Sequence, residues 1–175
     1  LILTLIASLY LIVAIVVVAR RKSGYRHIQH TISELGEFGF SQSRRVSFGV
    51  FLPVSVVLAI VAWMQYASND SIAALSISIA AGYGTSAFFP CDPGSPLVGS
   101  YRQAFHNIGG GAQYVGGALS LMWIAETAGP VFRAAGLIVA VSAVLLSFAS
   151  QFRGLIQRIA ELCLFAGLVG ALWTT

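Results

Sequence analysis

Three histidines stand out in a chain with few groups able to do chemistry. His27 and His30 lie in one polar stretch, Gly24-Tyr25-Arg26-His27-Ile28-Gln29-His30-Thr31-Ile32-Ser33-Glu34-Leu35-Gly36. His106 lies in another, which runs from Phe88-Phe89-Pro90-Cys91-Asp92-Pro93-Gly94 to His106-Asn107-Ile108-Gly109-Gly110-Gly111. Two chemistries suit these residues. In a hydrolase, Ser33 would be the nucleophile, His106 the base and Asp92 the group that orients it. In a zinc site, His30, Asp92 and His106 would be three ligands that leave one position open for water. The candidate site is therefore His30, Ser33, Glu34, Asp92, His106 and Asn107. Each also has a plain structural role open to it: Asp92 capping a turn, His106 bonded to a loop carbonyl, the first stretch lying in lipid headgroups. A nucleophile elbow, a His-Glu-x-x-His helix and a P-loop are all missing from the sequence.

Elements that could position these residues follow from composition. The 175 residues are 57% hydrophobic and 9% charged, with a mean hydropathy of +0.84. An ordinary soluble domain is about 25% charged, so a soluble enzyme, a nucleic-acid module and a disordered chain are excluded. The expected fold is an all-α integral membrane bundle of six transmembrane helices, forming one domain over 1–175. A span needs roughly 20 apolar residues. Six stretches qualify: Leu1–Ala19, Val46–Tyr66, Ile72–Phe89, Phe105–Ala125, Phe132–Ser150 and Leu155–Trp173. The apolar run begins at Leu1 with no Met and no basic segment before it, which reads as truncation at the N-terminus.

Charge orients the spans. Three loops on one side carry Arg20, Arg21, Lys22, Arg26, Arg44, Arg45, Arg102, Arg153 and Arg158, while the other side carries Arg133 alone. The positive-inside rule makes the basic loops cytoplasmic, and the expected location is the cytoplasmic membrane of a prokaryote. Ile28, Ile32 and Leu35 fall at helical spacing, which predicts a short amphipathic helix with His27, His30, Glu34 and Glu37 on its other face. Ala74, Ser78, Gly82 and Ser86, and likewise Ala112, Gly116 and Ser120, form small-residue ladders suited to close helix packing. Pro53 should kink the second span. Cys91 is expected at the cytoplasmic surface, and Cys163 inside the sixth span, so no disulfide should join them.

Glu161 lies six residues past Leu155, roughly 9 Å along a helix at ~1.5 Å per residue. An ionisable group at that depth is a functional candidate, and Arg158, three residues earlier, is its expected ion-pair partner.

The blocks Gly24 to His27, Ile32 to Gly36, Phe89 to Gly94 and His106-Asn107 resemble, in this order, the multi-pass membrane family catalogued as domain of unknown function 998. The resemblance spans nearly the whole chain and implies a bundle of about six helices without a settled activity. The Ile-Ser-Glu-Leu-Gly stretch is also similar, more remotely, to the six-span autophagy-modulator family. Three functions compete: a hydrolase of lipid-like substrates, a small-molecule or proton carrier using Glu161, and a structural or lipid-organising protein. The expected partners are the bilayer and a small hydrophobic or lipid-like ligand, with no nucleic acid.

Overall fold

A computed structural model describes residues 1–174 and contains six long helices and no strand among those residues. They are α1 (Ile2–Arg21), α2 (Ser43–Gln65), α3 (Asp70–Phe88), α4 (Tyr101–Ala128), α5 (Pro130–Leu146) and α6 (Arg153–Trp173). α1, α2, α3 and α6 are long and apolar enough to cross a membrane. α5 has 17 residues, and α4 has 28 but carries Gln103, His106, Asn107 and Gln113 on its buried or loop-end turns.

Local chemistry sets the helix ends. Asn69 accepts the Ile72 N–H at 3.2 Å to start α3, and Ser100 accepts the Gln103 N–H at 3.4 Å to start α4. Gly129, at φ 104°, ends α4, and Pro130 opens α5 one residue later. α5 stops at Leu146 rather than at Ser150, because the chain turns over Ser147 and Phe148. α2 is not uniform. A π turn over Ser47–Phe51 precedes Pro53. Pro53 has no N–H for the carbonyl four residues back, Gly49, and the Tyr10 hydroxyl of α1 donates to that carbonyl instead.

Consecutive helices pack side by side from α2 through α6, and α1 rests on α2 and α6. Leu58, Leu75, Ile79, Leu121, Leu164 and Leu168 are fully buried along the axis. The outer faces expose Ile6, Leu119, Val141 and Leu162, as lipid-facing helices do. The chain's three tryptophans, Trp63, Trp123 and Trp173, all sit near the end of α2, α4 or α6 that lies away from the long loops, and all are exposed. Such a ring of aromatics marks a membrane–water interface.

The small-residue ladders meet in part. Gly116 of α4 faces Ser78 of α3, and Gly109 faces Thr85, each so close that a Cβ would collide. Ala112 is exposed and lies outside this contact, because the buried row of α4 runs through Gly109, Gln113 and Gly117 instead.

Candidate functional site

The loop end of the bundle is built by two connections that pack on each other. Phe38 N–H donates to the Cys91 carbonyl at 2.8 Å, Gly94 N–H to Glu37 Oε2 at 2.8 Å, and the Cys91 thiol to the Ser33 carbonyl at 3.4 Å. Arg102 stacks over the Phe38 ring at 3.5 Å. Cys91 is thus fully buried and not at the surface as expected. Burial first, and then the Glu37 carboxylate, push its thiol up to about 12.

The first connection is not an amphipathic helix. Left-handed Gly24 and Gly39 (φ 73° and 87°) bend it, and only Ser33–Gly36 closes into a 3₁₀ turn. Thr31 and Glu34 cap that turn reciprocally. Glu34 Oε1 accepts the Thr31 N–H at 2.8 Å, and Thr31 Oγ1 accepts the Glu34 N–H at 3.4 Å. Lys22 pairs with Glu37 at 2.8 Å and also donates to the Glu34 carbonyl. The connection docks on the start of α6: Leu155 N–H donates to the Ile28 carbonyl at 2.9 Å and Gly154 N–H to the Gln29 carbonyl at 3.3 Å. The His27 and His30 carbonyls lie so close to Gly154 that a Cβ there would collide with them. Arg158 donates to the same two carbonyls at 2.6 and 3.0 Å and to the Tyr25 hydroxyl at 2.7 Å. Burial, and then Arg158, hold His27 below the ordinary imidazole range.

Asp92 does not pair with His106. Its Oδ2 accepts the Ser100 N–H at 2.7 Å, and its Oδ1 accepts the Ser100 hydroxyl at 2.7 Å and Arg102 Nη2 at 3.3 Å. The reason is proximity along the chain: Asp92 closes the turn that starts α4. The Ser100 N–H, then its hydroxyl, hold the Asp92 carboxyl below the usual carboxylate range, against a smaller desolvation effect and with help from Arg102. Gln103 Oε1 accepts the Asp92 N–H at 2.8 Å, and Gln103 Nε2 donates to Asn107 Oδ1 at 2.7 Å. Asn107 Nδ2 completes the tether at the Leu97 carbonyl, 2.9 Å away. His30 turns toward Tyr25: the rings stack at 5.4 Å, and His30 Nδ1 accepts the Arg26 N–H at 2.8 Å. Among the described residues no three His, Cys, Asp or Glu side chains gather as metal ligands, so the expected zinc set of His30, Asp92 and His106 is not assembled.

Three of the six candidates do share a space. Ser33, His106 and Asn107 line a cavity of about 330 Å³ between the loops and the upper turns of α4, α5 and α6. His106 Nδ1 is 3.0 Å from the Phe89 carbonyl oxygen. A carbonyl only accepts, so Nδ1 carries the hydrogen, and in the neutral ring Nε2 keeps its lone pair. Gly110 and Gly111 form part of the wall, and nothing stands within 4 Å of where their Cβ atoms would be. Arg153 also lines the cavity. Its Nη1 donates to the Ser95 carbonyl at 2.6 Å, and its buried Nε has no hydrogen-bond partner. Arg153 gave no signal in the sequence beyond its charge.

Below the cavity sits Glu161, buried at 7% exposure. Arg158 is not its partner, because the docked loop carbonyls take up that guanidinium. Glu161 Oε1 instead accepts Gln113 Nε2 at 2.7 Å and the Tyr114 hydroxyl at 2.8 Å, and Oε2 accepts the Tyr83 hydroxyl at 3.0 Å. Gln157 Nε2 donates to the Tyr114 oxygen at 3.0 Å, while Gln157 Oε1 accepts the Ile32 N–H at 2.6 Å. Gly82 makes room for this arrangement: a Cβ there would overlap the Gln113 carboxamide. Neither tyrosine nor either glutamine is marked by its neighbours in sequence. Arg158, three residues before Glu161, offers an apparent counter-charge in the sequence and so hides the need for partners from other helices.

The family model for the protein of unknown function DUF998 matches residues 5–174. No curated protein and no solved structure matches the chain. The chain belongs to the DUF998 family, and its apolar helices make it a membrane protein.

Proposed function

We propose that this DUF998 member spans the cytoplasmic membrane of a prokaryote six times and hydrolyses a lipid-like ester in the loop-end cavity, with Ser33 as nucleophile and His106 as base. One observation carries the reading: His106 is held by the Phe89 carbonyl in the tautomer that leaves Nε2 free, on the wall of a cavity that Ser33 also lines. The carbonyl takes the orienting role first assigned to Asp92. Ser33 Oγ attacks the ester carbonyl carbon as His106 Nε2 takes the hydroxyl proton. That proton then passes to the departing alcohol, and water releases the acyl group by the same route. The cavity suits an amphiphile. The Arg153 guanidinium stands at the loop end for an anionic or polar head, and Val115, Ala143 and Leu146 face the other part of the ligand.

A fluorophosphonate probe and a fluorogenic long-chain ester test this on detergent-purified protein. The probe should attach at Ser33 and fail in Ser33→Ala. His106→Gln should lower ester turnover by about 10²- to 10⁴-fold, the usual contribution of a positioned base. Equal labelling and turnover in wild type and Ser33→Ala would sink the reading.

A further inference from the structure

We propose that Glu161 is a proton-exchanging site within the bundle, served from the loop end alone through the cavity, with Tyr114 and Gln157 as the gateway. The hydrolase chemistry does not use Glu161, and the site stands whether or not Ser33 is a nucleophile.

An isolated buried carboxylate is costly unless a cation or several donors face it. Here three donors face it, and all are neutral: Tyr83 from α3, and Gln113 and Tyr114 from α4. No cation comes from any neighbouring helix. Between Ile2 and Ala19, α1 has a single titratable side chain, Tyr10, which is bound to the Gly49 carbonyl. From Val46 to Gln65, α2 has none, and the only charge on α5 is Arg133 in its first turn, at the tryptophan end. On α6 itself, Arg153 donates to the Ser95 carbonyl and Arg158 to the His27 and His30 carbonyls. The two ion pairs among the described residues, Lys22–Glu37 and Arg102–Asp92, are both in the loops. Glu161 therefore has hydrogen-bond partners whatever its charge but no fixed counter-ion, which is the setting in which a carboxyl can gain and lose a proton without breaking its surroundings.

Tyr114 and Gln157 each touch Glu161's network on one side and line the cavity on the other. His106, at the mouth, is eight residues above Tyr114 on α4, so the cavity descends roughly 12 Å at ~1.5 Å per residue. A Tyr hydroxyl can pass its hydrogen to Glu161 Oε1 while it takes another from cavity water. The net change is one proton moved from water to the carboxylate, and the reverse step returns it. Toward the tryptophan end, α6 continues through buried Leu164, Phe165 and Leu168. The buried hydroxyls on that side do not join the Glu161 network: Ser76 and Ser120 donate to the Ile72 and Gly116 carbonyls of their own helices, and Thr4 Oγ1 has no hydrogen-bond partner.

Infrared spectroscopy of the purified protein in lipid nanodiscs tests the proposal. A carboxylic C=O band should titrate with pH, shift on transfer to D₂O and be absent from Glu161→Gln. Tyr114→Phe and Gly111→Leu, the second filling the cavity, should keep the band but slow its D₂O shift by an order of magnitude. Ser33→Ala should leave band and exchange rate unchanged, even if it abolishes every trace of ester turnover. Dicyclohexylcarbodiimide, which reacts with protonated carboxyls in apolar surroundings, should label the wild-type protein at Glu161 and provides a reading that needs no variant. No band difference between wild type and Glu161→Gln at any pH the fold survives would overturn the proposal. So would the absence of carbodiimide label at Glu161, or exchange equally fast in Tyr114→Phe and Gly111→Leu.

Discussion

Asp92 takes two hydrogen bonds from Ser100 and one from Arg102, and this decides how acid acts on the loop end. Its carboxyl titrates below the value of about 3.9 that it has in an unfolded chain. The charged form is thus favoured by folding. Its contribution is complete above the unfolded value and disappears as pH falls through the lower, folded one. Thermal melting in detergent should accordingly show a stability loss beginning near pH 4 and growing below it. Asp92→Asn should melt lower than wild type at neutral pH, with a flatter acid limb. An acid limb as steep in Asp92→Asn as in wild type would assign the loss to other groups. At this scale the sequence was legible in kind but not in partnership. Polar residues capable of chemistry were recognisable, and Ser33, His106 and Asn107 do line one cavity. The pairings Asp92–His106 and Arg158–Glu161 did not form: Ser100, eight residues on, satisfies Asp92, and the His27 and His30 carbonyls, 131 and 128 residues away, take Arg158. A sequence displays spacing along the chain, whereas the Glu161 partners Tyr83 and Gln113 are 78 and 48 residues away.

Between helices, one missing side chain holds the buried network together. Gln113 reaches Glu161 by lying across Gly82 of α3, where any Cβ would overlap its carboxamide. Gly82→Ala should therefore cost about 1–3 kcal/mol, the usual penalty for overpacking, and should eject Gln113 from the carboxyl. Adding Gln113→Ala to it removes the clash. The double variant should be more stable than the sum of the two single losses predicts, and denaturation of all four proteins measures that coupling. Strict additivity would mean that α3 and α4 move apart instead. The helices themselves were readable because long apolar runs exceed what any other element can hide. Their ends were less so: α5 closes at Leu146 and α4 extends to Tyr101 and Ala128, through caps and a left-handed Gly129 that hydropathy does not register. The stretch from Gly24 to Gly36 shows the limit most clearly. Its apolar spacing matched a helix, yet loop carbonyls that a helix would have bonded internally are spent on the start of α6.

Across the whole molecule, charge and aromatic placement give one consistent orientation. All Lys and Arg residues but Arg133 belong to the end where the long loops meet, and the three tryptophans lie near the other. α1, with 20 residues, is roughly 30 Å long at ~1.5 Å per residue, which matches a bilayer's hydrocarbon core. α4 is longer, and its first turns, with Arg102, Gln103 and His106, belong to the loop end, so the proposed crossing would use the stretch below them. The six proposed crossings would put Ser23 and Ser68 on opposite faces, since one helix, α2, separates their loops. Both positions are exposed, so a cysteine at either is open to reagent. The native Cys91 cannot report the side, because its thiol is buried and held neutral. In a Cys91→Ser, Cys163→Ala background, a membrane-impermeant maleimide added to intact cells should label Ser68→Cys and spare Ser23→Cys. Inside-out vesicles should give the reverse, as the positive-inside rule requires for the basic loops. Labelling of both cysteines from one side would remove α2 from the count of crossings. Reversed labelling would keep the six crossings but turn the cavity, with Ser33, His106 and Arg153, to the outer face.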